Sequence, residues 1–245
     1  MIIIQGLVKH KYIRMDNIRL NRALSVLGIC SRRKADVLIR DGLIMVNNKL
    51  ITTLGTRISE SDIIFFNKKS YCLKNDKPKQ KIWLYYKRAG LITSHCDLQN
   101  RKTVFDDIRD RLPYRVVSVG RLDLNSEGLL LLTNDNAFVK FAESPKTGWE
   151  RIYKVRVFGK LSDENIDAIE KGITIDGIQY KSVKVSQFKD GNRNTWYTCT
   201  LHEGKNREIR RIFEHFGILV NRLIRIQYGP YSLLTMKPGE LKRVQ

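Results

Sequence analysis

The alternation of apolar and polar positions divides the chain into two regimes. From Asn17, the residues Leu20, Ala23, Leu24 and Leu27 recur at helical spacing, with Asn17 placed to cap the helix and Gly28 to end it. Ser31 is placed to cap a second helix running from Arg32 to Arg40 and closed by Gly42. Leu43 to Val46, the pair Asn47-Asn48, and Lys49 to Ile51 then predict strand, tight turn, strand. Residues 69–81 lose apolar periodicity and contain Pro78, so they are read as a linker between a small domain, 17–68, and a larger one, 82–245. Residues 1–16 mix Ile, Lys, His and Arg without a periodic face and are read as a basic tail.

In the larger domain the pattern is mostly that of strands. Ile82 to Tyr86, Val116 to Val119, Tyr153 to Phe158, Ile178 to Phe188, Thr195 to Leu201 and Leu223 to Gln227 carry strand signals, and the four-leucine run 129–132 predicts a strand buried on both faces. Thr103 with Asp106, Ser162 to Lys171, and Asn206 to Phe216 ended by Gly217 predict helices. Runs of strands with a few helices indicate an α+β fold built on a mixed, largely antiparallel sheet. No internal repeat of 20 to 50 residues is visible.

Charge narrows the partner. The 245 residues carry 45 Lys and Arg against 25 Asp and Glu, a formal net charge of +20. The excess is +11 over residues 1–81 and +9 over the remainder, so both domains are expected to meet a polyanion such as RNA. A membrane is the rival polyanionic surface, but no apolar run approaches the roughly 18 residues of a spanning helix. Arg32, Arg33 and Lys34 fall in the first turn of the second helix, where the helix dipole disfavours cations, and phosphate would offset that cost. The other reading is a solvated helix face. Cys30, Cys72, Cys96 and Cys199 stand apart from one another and from the histidines in metal-ligand spacing, so reduced thiols, a cytoplasmic location and no metal site are expected. No phosphate-binding Gly-rich loop occurs, and no cofactor is expected. A monomer is the expected state.

The chemistry centres on Val119-Gly-Arg-Leu-Asp-Leu-Asn-Ser-Glu-Gly-Leu-Leu-Leu-Leu-Thr-Asn-Asp135. Asp123 lies between Gly120 and Gly128, in a polar loop held by the leucine strand, where reacting side chains tend to be placed. An aspartate that merely caps a turn would read the same way. The stretch resembles the G-R-L-D motif of RNA pseudouridine synthases, and its continuation S-E-G-L-L-L-L-T-N-D resembles the RsuA/RluB family. Gly90-Leu-Ile-Thr-Ser, Thr103-Val-Phe-Asp, Glu150-Arg-Ile-Tyr-Lys-Val and Glu203-Gly-Lys-Asn-Arg-Glu-Ile-Arg-Arg agree with it, and residues 17–68 resemble the small RNA-binding domain called the alpha-L motif. The chain departs from the family at Arg88, where proline is usual, which implies a looser turn before Gly90. It departs again at Asn136, where glycine is common and where asparagine could keep a left-handed turn.

The resemblance implies an isomerase that converts a uridine of ribosomal RNA, probed by agreement at Asn194-Thr-Trp-Tyr and Arg222-Leu-Ile-Arg as a large-subunit target, into its carbon-linked isomer. Asp123 would be the catalytic carboxylate acting on a nucleotide swung out of the RNA. Arg210 would be its cation partner, although helical spacing leaves Arg207 and Arg211 as alternatives, the others meeting phosphate. Tyr153 would stack on the base and help move a proton; its other reading is ordinary core. Arg121 would contact RNA beside the target, or form a structural salt bridge. Two other functions fit the same residues less fully: a non-catalytic RNA-binding factor, and a glycosylase that excises a base.

Overall fold

The computed structural model describes residues 17–189 and 193–244, so the expected basic tail at 1–16 lies outside the described residues. The described chain falls into two compact units. One holds the residues up to Lys81 with 112–117 and 134–136, and the other holds the rest.

In the first unit the helices Leu20–Val26 and Arg32–Arg40 pack beside a four-stranded antiparallel sheet made by Ile44–Val46, Lys49–Ile51, Ile63–Phe66 and Lys69–Cys72. Ser31 caps the second helix by accepting from the Lys34 N–H at 3.2 Å. Asn47 and Asn48, at φ of 47° and 62°, make the tight turn that the Asn-Asn pair predicts. Asn17 does not cap the first helix. It takes φ 63°, and Ile18–Arg19 instead pairs with Arg57–Ile58, so the helix starts one strand later behind an Arg19 cap whose side chain makes no capping bond. The expected linker also begins too early: Lys69–Cys72 pairs with Ile63–Phe66, and Leu73 is buried in this core with Leu24, Ile39 and Ile64. Its polar composition hid a strand that sits at the edge of the sheet, where one face meets water.

The second unit is built on one mixed sheet. Among the described residues its order is Lys184–Lys189, Asn194–Leu201, Arg151–Phe158, Val220–Tyr228, Ser126–Thr133, Ile82–Lys87 and Leu241–Arg243. Every pairing along that order is antiparallel except the central one, in which Val220–Tyr228 runs parallel to Ser126–Thr133. Leu129 to Leu132 are fully buried, as a strand covered on both faces must be. Asn194–Leu201 alternates exposed and buried, with Tyr197, Cys199 and Leu201 turned toward a core that Val155, Val157, Ile209, Ile212 and Phe213 share. Each such large side chain contributes about 1.5–3 kcal/mol through burial. The helix Glu208–His215 is therefore tied to the sheet by its Ile209, Ile212 and Phe213 face.

Three local expectations change. Ile178–Tyr180 and Lys184–Lys189 are separate strands, because Ile178–Tyr180 folds back on Ile173–Ile175 around Asp176 and Gly177. Asn136 opens the helix Asn136–Glu143 and makes no left-handed turn. Arg88 does not loosen its turn: its guanidinium bonds both oxygens of Asp107 at 2.8 and 3.1 Å, and the Tyr85 hydroxyl donates to the same carboxylate at 2.7 Å.

Candidate active site

Asp123 stands in the loop between the strands Val117–Val119 and Ser126–Thr133. What fixes this loop is the capture of its carbonyl oxygens one after another. Thr93 Oγ1 donates to Leu122 O at 2.8 Å, the Ser126 N–H donates to Asp123 O at 3.0 Å, the Gly90 N–H donates to Leu124 O at 2.8 Å, and Arg210 Nη2 donates to Asn125 O at 3.1 Å. Lys87, with no exposed surface, reaches across from the neighbouring strand and places its Nζ 3.0 Å from Asp123 O, 3.3 Å from Leu124 O, 2.8 Å from Ser126 O and 3.1 Å from Arg88 O. An ammonium has three N–H donors, so these four acceptors share them. Burial pulls the Lys87 ammonium down to about 8, against the opposing pull of Asp123 and Glu127. The backbone around Asp123 is thereby held at four consecutive residues, a stronger restraint than a capped turn provides.

Gly128 serves a different purpose from the one its place in the sequence suggests. It lies inside the strand, at φ 102°, and a Cβ on it would sit 2.2 Å from the carbonyl oxygen of Arg225 on the parallel neighbour. The close approach is between two strands of the protein itself.

Asp123 lines a cleft of about 740 Å³. Arg121, Tyr153 and Arg207 line it as well, so four of the residues singled out from the sequence meet in one place. Tyr153 is half-buried on Arg151–Phe158, directly across from Arg225 in the sheet register. Arg121 is exposed, and Arg207 is exposed at φ 52° as the residue that starts the helix Glu208–His215. Arg210 is half-buried behind the loop. It donates to Val220 O at 2.8 Å and to Asn125 O, while the Asp123 charge acts on it through space, against the larger effect of burial, which lowers its pKa, and of Arg207, which adds to that. Its guanidinium thus meets backbone carbonyls where direct pairing with the carboxylate was expected. Arg211 is exposed one step further round the helix, outside the lining of the cleft.

Three lining or supporting cations carry little or no signal in the sequence. Lys87 looks like a surface residue at the end of an apolar strand, Arg225 interrupts a strand as an ordinary charge would, and Arg151 precedes the tyrosine that drew notice. Arg225 is 2% exposed, donates from Nε to Leu129 O at 2.8 Å and lies over the Tyr228 ring, as Arg151 does, with a bond from Arg151 to the Tyr228 hydroxyl at 3.1 Å. For Arg225, between Ile224 and Ile226, the available signal is that a charge in a strand with apolar neighbours on both sides is buried or paired; Lys87 and Arg151 each have a charged neighbour and give no such signal. In the first unit Arg32, Arg33 and Lys34 are exposed on the first turn of their helix, and among the described residues no carboxylate pairs with them. No group of His, Cys, Asp and Glu among the described residues is arranged to hold a metal, and no helix among them is long and apolar enough to cross a membrane.

A carboxylate on a rigid loop, in a cleft lined by arginines and a tyrosine and joined in one chain to a small domain with a basic helix, is the equipment of an enzyme that works on RNA. The family comparison agrees: residues 81–215 match the model for RNA pseudouridylate synthase and residues 18–64 match the S4 domain, and the chain belongs to the RNA pseudouridine synthase family. It is 46% identical over 226 residues to an RNA pseudouridine synthase of Rickettsia felis, covering 92% of this chain and 96% of that one. It is 35% identical over 231 residues to ribosomal large subunit pseudouridine synthase B of Buchnera aphidicola, covering 93% of this chain and 88% of that one. Among solved structures, a pseudouridylate synthase crystal structure shares the fold with a TM-score of 0.66 at 23% identity, over 93% of this chain and 96% of that one.

Proposed function

We propose that this enzyme isomerises a specific uridine of large-subunit ribosomal RNA to pseudouridine, with Asp123 acting at the anomeric carbon of a nucleotide turned out of the RNA into the cleft. The substrate class follows the relatives that carry the large-subunit name. The observation that carries the assignment of Asp123 is its loop, held at four successive carbonyls so that the carboxylate keeps one position in a cleft rich in arginine.

In this reaction the C1′–N1 bond breaks, the uracil turns over, and C5 bonds to C1′; C5 loses a proton and N1 gains one, so the sum of atoms is unchanged. Asp123 supports the positive charge that develops on the sugar or bonds to it transiently, as carboxylates do in glycoside cleavage. Tyr153 lines the same cleft, where its ring can stack on the extruded base and its hydroxyl can pass the C5 proton. Arg210 supports the carboxylate from behind, through the Asn125 carbonyl and through its charge. Arg121 and Arg207 meet phosphates at the cleft, Arg211 does so beyond it, and Arg32, Arg33 and Lys34 position the small domain on folded RNA. The chain works as a monomer in the cytoplasm.

The test is Asp123→Asn on a large-subunit ribosomal RNA transcript. The variant is expected to bind the transcript as the wild type does and to form no pseudouridine. Equal modification by both proteins would remove Asp123 from the chemistry, and release of free uracil by the wild type would show base excision in place of isomerisation.

A further inference from the structure

The cleft contains three acidic residues that the chemistry above does not use: Glu143, which accepts from the Gly120 N–H at 2.7 Å, and the pair Glu203 and Glu208. Glu208 is the first residue of its helix and is 4% exposed. One of its oxygens, Oε2, accepts from the Lys205 N–H at 2.8 Å, while Oε1 is buried and is reached by no N–H. The neighbouring carboxyl of Glu203 acts on the Glu208 carboxyl by its charge and as a hydrogen-bond partner for a proton, and Lys205 ties the two residues together. Glu203 is already supplied as an anion: its Oε1 accepts from the Lys181 N–H at 2.9 Å, and the Lys205 ammonium lies 2.8 and 2.9 Å from its two oxygens. Two ionised carboxylates are both acceptors only and cannot bond to each other, so a bond between them requires a proton, and the less hydrated partner without a cation of its own is Glu208.

We propose that Glu208 is held as the neutral acid, its hydroxyl donating to Glu203, and that this bond closes the 203–208 loop so that Arg207 stays at the cleft and the helix bearing Arg210 starts in register. The inference rests on the reading of the cleft given above, and it makes Glu208 a positioning residue that touches no substrate. Arg207 needs such support, since at φ 52° it holds a left-handed backbone that is strained for a residue with a side chain. Lys205 completes the closure: its ammonium also bonds the Gln179 carbonyl at 2.5 Å, which ties the loop to the Ile178–Tyr180 hairpin strand. The groups facing Glu208 are Glu203 and Lys205 on its own loop, Glu203 being held in turn by the Lys181 backbone.

Burial pushes the Glu208 carboxyl up to about 7; the Lys205 N–H bond opposes this and the Glu203 charge adds to it. An acid raised in the folded state contributes stability that is present in full below its unfolded value near 4.5 and is lost as pH climbs through about 7. The closure is therefore expected to loosen on the alkaline side of neutrality.

The decisive comparison is Glu208→Gln, whose amide is a permanent donor, against wild type and Glu208→Ala. On the full chain with a large-subunit transcript at saturating concentration, wild-type kcat is expected to fall by up to about tenfold per pH unit above the ionisation, the slope of one proton. Glu208→Gln is expected to hold kcat level over that range, and Glu208→Ala to lose it throughout. A Glu208→Gln profile that falls like the wild type, or a folded Glu208→Gln protein as inactive as the alanine variant, would overturn the proposal. An activity-independent reading separates this from the assignment of Asp123: carbon-13 titration of the Glu208 carboxyl is expected to show a midpoint near neutrality that drops in Glu203→Gln. A midpoint in the ordinary glutamate range would refute the shared proton even if Asp123→Asn is inactive.

Discussion

Replacing Lys87 by methionine tests the idea that the Asp123 loop is held by its carbonyls. The substitution keeps the unbranched stem inside a site that has no exposed surface and deletes only the ammonium. Asp123 O keeps the Ser126 N–H and Leu124 O keeps the Gly90 N–H, so the loss falls mainly on the bonds to Ser126 O at 2.8 Å and Arg88 O at 3.1 Å. Two charge-assisted bonds at about 1.5–3 kcal/mol each give about 3–6 kcal/mol. Part of that returns because an ammonium no longer has to be stripped of water. The expected net destabilisation is about 2–4 kcal/mol, a large share of the roughly 5–15 kcal/mol of a typical domain. Function should suffer by a comparable amount: a shift of about 1 Å in a reacting group costs on the order of a hundredfold in rate. Denaturant unfolding measures the first effect, and single-turnover pseudouridine formation at saturating RNA measures the second. A Lys87→Met protein with wild-type stability and wild-type kcat would show that the ammonium is a bystander and that the carbonyl cage does not set the position of Asp123.

Other outcomes follow from single contacts. Gly128→Ala is expected to unfold the catalytic unit or destabilise it by more than about 4 kcal/mol, since the new Cβ would meet the Arg225 carbonyl oxygen at 2.2 Å; an alanine variant with an unchanged melting temperature would disprove the close approach. Tyr153→Phe is expected to bind RNA normally and to slow proton loss from C5, seen as accumulation of a substrate-derived species in single turnover, and normal kinetics would confine the hydroxyl to packing. Replacing Arg32, Arg33 and Lys34 together by serine should weaken RNA binding and reduce the slope of log affinity against log salt by about 2–3, at roughly 0.7–0.9 per phosphate contact, with kcat at saturating RNA unchanged. Substitution is a cleaner test of the small domain than truncation after residue 68, because Lys69–Cys72 and Leu73 belong to its sheet and core.

What could be read in the sequence, and what could not, divides along a physical line. The leucine strand, the Ser31 and Ser162 caps, the Asn47-Asn48 turn and the helix carrying Arg210 are local signals, each fixed by residues within a few positions of one another, and each has its expected place in the structure. Asp123, Arg121, Tyr153 and Arg207 could be brought to one cleft only through resemblance, since 84 residues separate Asp123 from Arg207 and no periodicity spans that distance. The helix that carries Arg210 is legible in the sequence, yet the Arg210 bonds go to Val220 O and Asn125 O, because which way a guanidinium turns is settled by the carbonyls that need a donor. Lys87 is hidden in the sequence for the same reason. Its value lies in four backbone oxygens contributed by Arg88 and by a loop some 36 to 39 residues further on, and backbone oxygens are identical at every position of a sequence. A side chain that reacts leaves a motif, because only a few residue types can do the chemistry; a side chain that holds peptide groups answers to geometry alone and comes into view only when the strands are paired. That is why Lys87 and Arg225, buried cations that steady the site, leave so little trace in the sequence, and why the proton on Glu208, which depends on the interaction with Glu203 and on burial, belongs with them.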